Sequence, residues 1–175
     1  SALTPFAFIL HPLDVSDLAR KYAFTRCLPT RWLEAALQVM APQDCGRITG
    51  VRSLTGAETE GWFVGCPLTA RQLLEGDPRR CTDKIVQACN AAARLGAQIV
   101  GLGAFTSVVG DKGFTIAERV SIGVTTGNSF TTATGLEGTL LAAERMGHDP
   151  RQSTAAILGA TGSIGKIAAK LLAPQ

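Results

Sequence analysis

The chain has 175 residues, a length that fits one ordinary domain or one domain with a fragment of a second. Hydrophobic residues make up 46% of it and charged residues 18%, which allows a buried core and argues against a disordered chain. Seventeen Lys and Arg against 14 Asp and Glu give a formal net charge of +3, too small and too scattered for a nucleic-acid-binding surface.

The sequence also argues against a membrane protein and against a metalloprotein. No apolar stretch is long enough for a transmembrane helix, and the apolar start lacks the basic leader and cleavage site of a signal peptide. Five widely spaced cysteines, without a C-x-x-C pair and with only two histidines, make a zinc site or a disulfide framework improbable. We therefore expect a cytoplasmic protein without a metal site.

The first half of the chain alternates between predicted strands and helices, and abundant glycine favours an α/β fold. Asp14 and Asp17 suit the first turn of a helix that continues through Leu18 to Tyr22, and Thr30 is a predicted helix cap. The other predicted elements are a strand at Phe6–Leu10, a helix at Arg31–Met40, and a hairpin of Arg47–Leu54 with Glu60–Cys66.

A helix is predicted from Asp83 to Leu95, where Ile85, Cys89, Ala92 and Leu95 follow helical spacing and Gly96 ends it. The apolar run Gln98–Gly103 then predicts a buried parallel strand. It leads into a polar loop at the carboxyl end of that strand, which is the edge where open α/β sheets bind ligands. Phe105, Thr106 and Ser107 in this loop are therefore candidate substrate-binding residues; the alternative is an ordinary turn.

Another strand is predicted at Val120–Thr125, followed by a long helix at Ser129–Met146. A stripe of Phe130, Ala133, Leu136, Leu140 and Ala143 predicts its buried face. Asn128 is a predicted cap of this helix. Thr126, Gly127 and Asn128 also lie where strand and helix meet, so that capping and lining a cleft are compatible roles.

Near its end the chain has a glycine-rich turn between a predicted strand and a predicted helix, which is the arrangement of a phosphate-binding motif. A short apolar strand, Ala155–Leu158, precedes Gly159-Ala160-Thr161-Gly162-Ser163-Ile164-Gly165, and a helix, Lys166–Leu172, follows. Glycines let the chain turn sharply and approach a pyrophosphate, while the new helix offers unpaired N–H groups and the positive end of its dipole. This spacing predicts a nucleotide-binding turn, although a purely structural β-turn-α crossover is the alternative.

The sequence stops inside this predicted dinucleotide-binding unit. A Rossmann fold needs further strands, and the residue that contacts the adenosine ribose, about 20 positions past the turn, would lie beyond Gln175. NADPH and NADH are therefore not distinguished. We predict a truncated arrangement: a substrate domain at 1–147, a connector at 148–153, and the start of a Rossmann domain at 154–175.

Three segments resemble the long-chain acyl-(acyl-carrier-protein) reductases and their shikimate-dehydrogenase-like or amino-acid-dehydrogenase-like relatives. They are 102–107 (LGAFTS), 125–131 (TTGNSFT) and 159–165 (GATGSIG). The resemblance implies an α/β substrate domain with a mixed or parallel sheet, followed by a Rossmann domain. It further implies that NADPH reduces a fatty acyl thioester to an aldehyde through a cysteine thioester. The nucleophilic cysteine of that family lies after the Rossmann domain, so Cys66 is not it.

The resemblance places Thr126 and Asn128 in the cleft that faces the nicotinamide, and Gly127 with the seven residues of the glycine-rich turn at the cofactor. Lys84 is a candidate for stabilising a developing oxyanion, the alternative being a solvated lysine. Cys66 is more consistent with a small buried hydrophobe than with a thiolate, and His11 with a hydrogen-bonding residue at a strand end.

The leading hypothesis is thus an NAD(P)H-dependent reductase of acyl thioesters, with an acyl carrier protein or acyl-CoA as the source of the acyl group and little activity expected of this piece alone. A dehydrogenase of a small polar metabolite and a non-catalytic module that binds an acyl carrier or partner protein are the alternatives. The apolar face of the last helix also favours self-association into a homo-oligomer.

Overall fold

In a computed structural model, the described residues, 4–18 and 22–173, form an α/β structure, as the sequence predicts. The strands are β1 (Phe6–Leu10), β2 (Gln43–Arg52), β3 (Glu58–Gly65), β4 (Ile99–Leu102) and β5 (Gly123–Thr125). The α-helices of the described part are α1 (Thr30–Val39), α2 (Ala70–Glu75), α3 (Pro78–Arg94), α4 (Phe114–Glu118), α5 (Asn128–Arg145) and α6 (Ser163–Leu172). Contacts divide the chain into two compact units, one up to Thr126 and one from Gly127 on.

The first unit is built on one mixed sheet with the strand order β2-β3-β1-β4-β5. Strands β3, β1, β4 and β5 run parallel, and β2 forms the antiparallel edge as the first arm of the predicted hairpin. Strand β3 lies on one side of β1, and the later strands β4 and β5 lie on the other side. The strand order therefore reverses next to β1. In such sheets ligands bind outside the carboxyl ends where the order reverses, which here is between β1 and β4.

The core lies between the sheet and α3. Alternate residues of β1, Ala7 and Ile9, are buried on the face that meets Ile85, Cys89 and Ala92 of α3. The predicted helical spacing of these three residues is therefore confirmed. The helix starts five residues before the predicted Asp83, because Asp77 accepts a hydrogen bond from the Arg79 N–H and Pro78 occupies the first turn.

The other face of the sheet carries phenylalanine rings that lie across neighbouring glycines. The Phe8 and Phe63 rings are stacked with centroids 6.4 Å apart. A Cβ added at Gly101 would lie 2.7 Å from the Phe8 ring, and one at Gly61 would lie 2.7 Å from the Phe6 ring. At Gly61 a Cβ would also lie 2.6 Å from the Phe6 carbonyl oxygen, so the backbone of β1 excludes a side chain there, whereas at Gly101 the Phe8 ring would have to move.

Several predicted boundaries in the first unit differ from the observed ones. Thr30 is the first residue of α1 and Pro29 its N-cap, so the predicted cap is wrong by one position. The acids after β1 open a short 3-10 turn, Val15–Asp17, in which Asp14 accepts from the Ser16 N–H. Most of the helix predicted onward from Leu18 lies outside the described residues.

The second unit contains α5 and α6. Gly127, with φ of 73°, is the N-cap of α5, so the prediction that Asn128 caps this helix is wrong. The predicted buried stripe is also wrong, because Phe130 is 75% exposed and Thr132 is the buried residue of α5. Within its own unit α5 packs against α6 and the short turn Pro150–Gln152, and these cover only part of its surface.

The segment predicted as a strand before the glycine-rich turn, Ala155–Leu158, is not a strand. Among the described residues no other strand pairs with it, and a strand is stabilised only by a hydrogen-bonded neighbour. Leu158 is fully exposed. The connector at 148–153 contains a 3-10 turn that Asp149 caps, and its role as a domain boundary stays a prediction.

Candidate functional site

The turn after β4 lies at the carboxyl end of the sheet, where the strand order reverses. The Gly103 N–H donates to the Ile9 carbonyl at 3.1 Å, which holds the start of the turn against β1. Ala104 follows with φ of 46°, a left-handed conformation that a residue with a Cβ rarely adopts. Such local strain persists only where the surrounding contacts fix the backbone, and it is frequent at functional sites.

The polar groups of this turn are engaged within the protein. Thr106 is fully buried, and its hydroxyl donates to the Gly103 carbonyl at 2.6 Å. The Ser107 hydroxyl donates to the Ala104 carbonyl at 2.7 Å. The Phe105 N–H donates to the Nε2 atom of His11 at 3.2 Å. The three predicted substrate-binding residues therefore lie at the carboxyl end of the sheet, as expected. The hydrogen-bond donors named above are already paired within the protein. Contact of these residues with a substrate stays a prediction.

His11 belongs to this site, although the sequence indicated only a hydrogen-bonding residue at a strand end. It follows β1 directly, and its Nδ1 lies 2.9 Å from the Pro12 carbonyl oxygen. Since Nε2 accepts from the Phe105 N–H, the hydrogen of the neutral ring is on Nδ1 and donates to Pro12. The His11 and Phe105 rings also lie 5.7 Å apart. His11 thus joins the end of the central strand to the turn after β4.

A cavity of about 750 Å³ opens beside His11, at the carboxyl ends of β1 and β3. Most of its lining is apolar, and the polar side chains in it are few. The lining residues are Leu10, His11, Pro12, Leu13, Asp17, Leu18, Tyr22, Leu37, Met40, Gln43, Cys45, Gly65, Cys66 and Pro67. Apolar walls with a few polar groups are typical of cavities that bind small molecules. The sequence did not indicate this cavity, because its walls come from separate segments.

The two cysteines in this lining differ in exposure. Cys66 is fully buried, and burial raises the pKa of its thiol from the ordinary 9.0 to about 12, although the Lys84 charge opposes this shift. Its thiol is therefore protonated at neutral pH and unsuited to nucleophilic attack. This agrees with the interpretation of Cys66 as a small buried hydrophobe. Cys45 is exposed on β2.

Lys84 lies on α3 and faces the end of α1. Its ammonium donates to the Met40 carbonyl at 3.0 Å, and Met40 is the C-cap of α1. A cation is stabilising at a helix C-terminus, so this contact has a structural explanation. Lys84 lines a second cavity, of about 460 Å³, together with Asp77, Asp83 and other residues. Neither that cavity nor this hydrogen bond brings Lys84 to the turn after β4, and its catalytic role stays a prediction.

The glycine-rich turn is a tight turn that leads directly into α6, and its predicted contact with a phosphate stays a prediction. Gly159 adopts φ of 79°, and the Gly162 N–H donates to the Gly159 carbonyl at 3.0 Å. A Cβ at Gly165 would overlap the Gly159 carbonyl oxygen, so only glycine fits there. The first intrahelical bond of α6 runs from the Lys166 N–H to the Gly162 carbonyl. The N–H groups of residues 163–165 therefore have no acceptor within the helix, and no side chain caps it.

Two predicted site residues meet in this second unit. The side-chain amide nitrogen of Asn128 donates to the Ser163 hydroxyl oxygen at 3.1 Å. Asn128 is the first residue of α5 and Ser163 the first residue of α6, so the bond joins the starts of both helices. Gly127 provides the left-handed turn before Asn128. Thr126 ends the first unit after β5, and its predicted place at a nicotinamide stays a prediction.

The described residues contain neither a cluster of side chains suited to hold a metal ion nor a helix long and apolar enough to cross a membrane.

Known proteins similar to this chain include one named as an aminotransferase and one named as a reductase. No protein-family model matches it. It is 37% identical over 125 residues to the aminotransferase PigE of Serratia sp. (strain ATCC 39006), a match that covers 71% of this chain and 14% of that protein. It is 30% identical over 139 residues to the long-chain acyl-(acyl-carrier-protein) reductase of Synechococcus elongatus, covering 75% of this chain and 40% of that protein.

The chain therefore spans less than half the length of either relative. The activity that each name states belongs to a protein much longer than the segment that matches this chain. The resemblance to acyl-(acyl-carrier-protein) reductases is supported as distant homology, and with it a relationship to oxidoreductases.

Proposed function

We propose that the chain is part of an NAD(P)H-dependent reductase that converts acyl thioesters to aldehydes, with its first unit binding the acyl group and its second unit beginning the dinucleotide site. The observation that carries this proposal is the turn at 159–165, where Gly165 approaches the Gly159 carbonyl so closely that a side chain is excluded. The distant homology to an acyl-(acyl-carrier-protein) reductase supports it.

The residues of this turn fit the pyrophosphate of a dinucleotide. Backbone N–H groups at the start of α6 would donate to phosphate oxygens, and the positive end of the helix dipole favours a negative charge there. Gly165 lets the start of α6 lie against the backbone of Gly159, which a side chain at position 165 would prevent. A bound NADPH would supply the hydride for the reduction, and the protein would supply orientation.

The cavity beside His11 supports an acyl group over a small polar metabolite as the substrate. Leu10, Leu13, Leu37 and Met40 contribute apolar walls, which favour a hydrocarbon chain because its transfer from water is favourable. His11 lines this cavity and accepts a hydrogen bond from the Phe105 N–H, so it would link the cavity wall to the turn after β4. The acyl group would arrive on an acyl carrier protein or on coenzyme A.

The dinucleotide part is tested by titrating the chain with NADPH in a calorimeter. We expect saturable binding that Gly165→Ala abolishes, because the added Cβ would displace the backbone of the turn. Gly138→Ala is the matched control: it adds the same methyl group to α5, where nothing lies within 4 Å, and should leave binding unchanged. Equal affinity of wild type and the Gly165→Ala variant would contradict the proposal.

The substrate part is tested with fluorescent fatty acids on the same chain. We expect binding in the cavity that Leu37→Trp, which fills it, abolishes, while NADPH binding persists. Saturable binding of shikimate or an amino acid in the calorimeter, with no binding of the fatty acids, would favour the polar-metabolite alternative. Binding of an acyl carrier protein without any response to NADPH would favour the non-catalytic module.

A further inference from the structure

Two segments of the first unit border both the apolar cavity beside His11 and the second cavity, of about 460 Å³. At the end of α1, Leu37 and Met40 line the apolar cavity, while the two residues between them line the second cavity. After β3, Cys66 lines the apolar cavity and Leu68 lines the second. These two segments therefore form a wall that both cavities share.

Lys84 reaches this wall from α3. Its side chain lines the second cavity, and its ammonium donates to the carbonyl oxygen of Met40 at 3.0 Å. The Lys84 charge also acts on Cys66, since burial raises the pKa of that thiol to about 12 and the nearby ammonium opposes the rise. The ammonium thus contacts one segment of the wall and lies close to the other.

The two sides of the wall differ in what they offer a ligand. The apolar cavity is lined mainly by apolar side chains, which favour a hydrocarbon chain. The second cavity carries charged side chains, among them Asp77, Arg80 and Asp83. A hydrocarbon chain that passed from the first cavity into the second would displace the Lys84 side chain, and the Met40 carbonyl would lose the hydrogen bond from it. The wall is therefore where lengthening a bound chain stops being favourable.

We propose that Lys84 limits the length of the acyl chain that the first unit accepts: its side chain, held by the Met40 carbonyl, closes the apolar cavity against the second cavity. This inference rests on the proposed binding of an acyl group in the apolar cavity. It makes Lys84 a specificity-determining residue, a role that needs no contact with the reacting carbonyl and so differs from the stabilisation of an oxyanion.

Lys84→Ala is the decisive variant, because it removes the ammonium with its four-carbon stem and so opens the wall. Binding is measured as displacement of a fluorescent fatty acid, whose own affinity is determined first for each variant. The competitors are fatty alcohols from octanol to octadecanol, which are uncharged and form no ion pair with the lysine. In the wild type we expect the affinity to rise about fourfold with each added carbon until the apolar cavity is full, and then to level off. In the variant the rise should continue for about two more carbons, so that the alcohol of that length binds more than about tenfold tighter than it does to the wild type.

Two matched variants separate the closing of the wall from other effects. Lys84→Met keeps a side chain of similar length without the charge, so it should keep the wild-type limit on chain length. Arg80→Ala removes another cation of the same helix and the same cavity, and it should also leave the limit unchanged. Octanol is short enough for the closed cavity, so an unchanged affinity for it shows that a variant is folded. Lys84→Ser opens the same space and replaces the alanine variant if that protein does not fold.

The outcomes separate the role of Lys84 from the acyl-binding function itself. If the wild type binds the alcohols and Lys84→Ala has the same limit, the specificity role is wrong while the acyl cavity stands. An affinity that keeps rising to octadecanol in the wild type would also overturn it, as would a limit that Lys84→Met or Arg80→Ala shifts as far as Lys84→Ala does. If the wild type binds neither the fatty acid nor any alcohol, the proposed acyl-binding function is wrong and the inference falls with it.

Discussion

The five cysteines divide into exposed and buried ones. Cys27 and Cys45 are exposed, whereas Cys66, Cys81 and Cys89 are buried in the core of the first unit. Burial raises the pKa of the Cys66 and Cys89 thiols to about 12, because an apolar surrounding disfavours the charged thiolate. These residues therefore contribute to the packing of the core.

The raised pKa values predict a loss of stability in alkaline solution. In the unfolded chain these thiols lose their proton near pH 9.0, but in the folded chain only near pH 12, so their contribution is present below pH 9 and declines as the pH rises towards 12. We expect each thiol to lower the free energy of unfolding by about 1 kcal/mol per pH unit in this range. Urea unfolding at pH 8, 9.5 and 10.5 measures it. The decline should be shallower for Cys89→Ala, and an equal decline in both proteins would contradict the assignment.

Whether a predicted element forms depends on whether a partner covers it. Strand β1 lies between β3 and β4, and the helical stripe of α3 meets the sheet, so their periodicity led to correct predictions. The apolar stripe of α5 and the segment Ala155–Leu158 have equally clear patterns. Among the described residues, Phe130 and Leu140 of that stripe are exposed, and Ala155–Leu158 pairs with no strand.

Hydrogen exchange distinguishes these two kinds of apolar segment. The N–H groups of β1 are bonded within the central strand of the sheet, so we expect them to exchange only on global unfolding. The N–H groups of residues 155–158 lie outside any sheet and should exchange at least a hundredfold faster. Mass spectrometry of peptic peptides measures both in one sample. Slow exchange at 155–158 would show that this segment pairs with a strand in solution.

At the scale of the whole molecule, the core belongs to one of the two units. Among the described residues, the buried apolar side chains range from Ala7 to Ile116, all in the first unit. The second unit has Thr132 as its buried residue and exposes Leu140, Leu141, Ile167 and Leu171 on its helices. Most of the hydrophobic stabilisation is therefore in the unit that carries the sheet and the apolar cavity.

This distribution predicts an unequal response to core substitutions. Ile85→Ala removes a fully buried side chain between α3 and the sheet, and we expect it to lower the free energy of unfolding by about 3 kcal/mol. Leu136→Ala, at a half-buried position of α5, should change the same transition by less than about 1 kcal/mol. Thermal and urea unfolding followed by circular dichroism compare them. Similar losses for both variants would show that the two units unfold as one.

Local patterns were sufficient for much of the first unit and for the shape of the glycine-rich turn. Period-two alternation in β1, helical spacing in α3 and the glycines at 159 and 165 each express a constraint between residues that are near in sequence. The cavity beside His11 was not predictable in this way, because its lining comes from several segments. The bonds from Phe105 to His11 and from Asn128 to Ser163 join residues 94 and 35 positions apart. Their partners are set by how the strands and helices pack, and no periodicity within either segment specifies them.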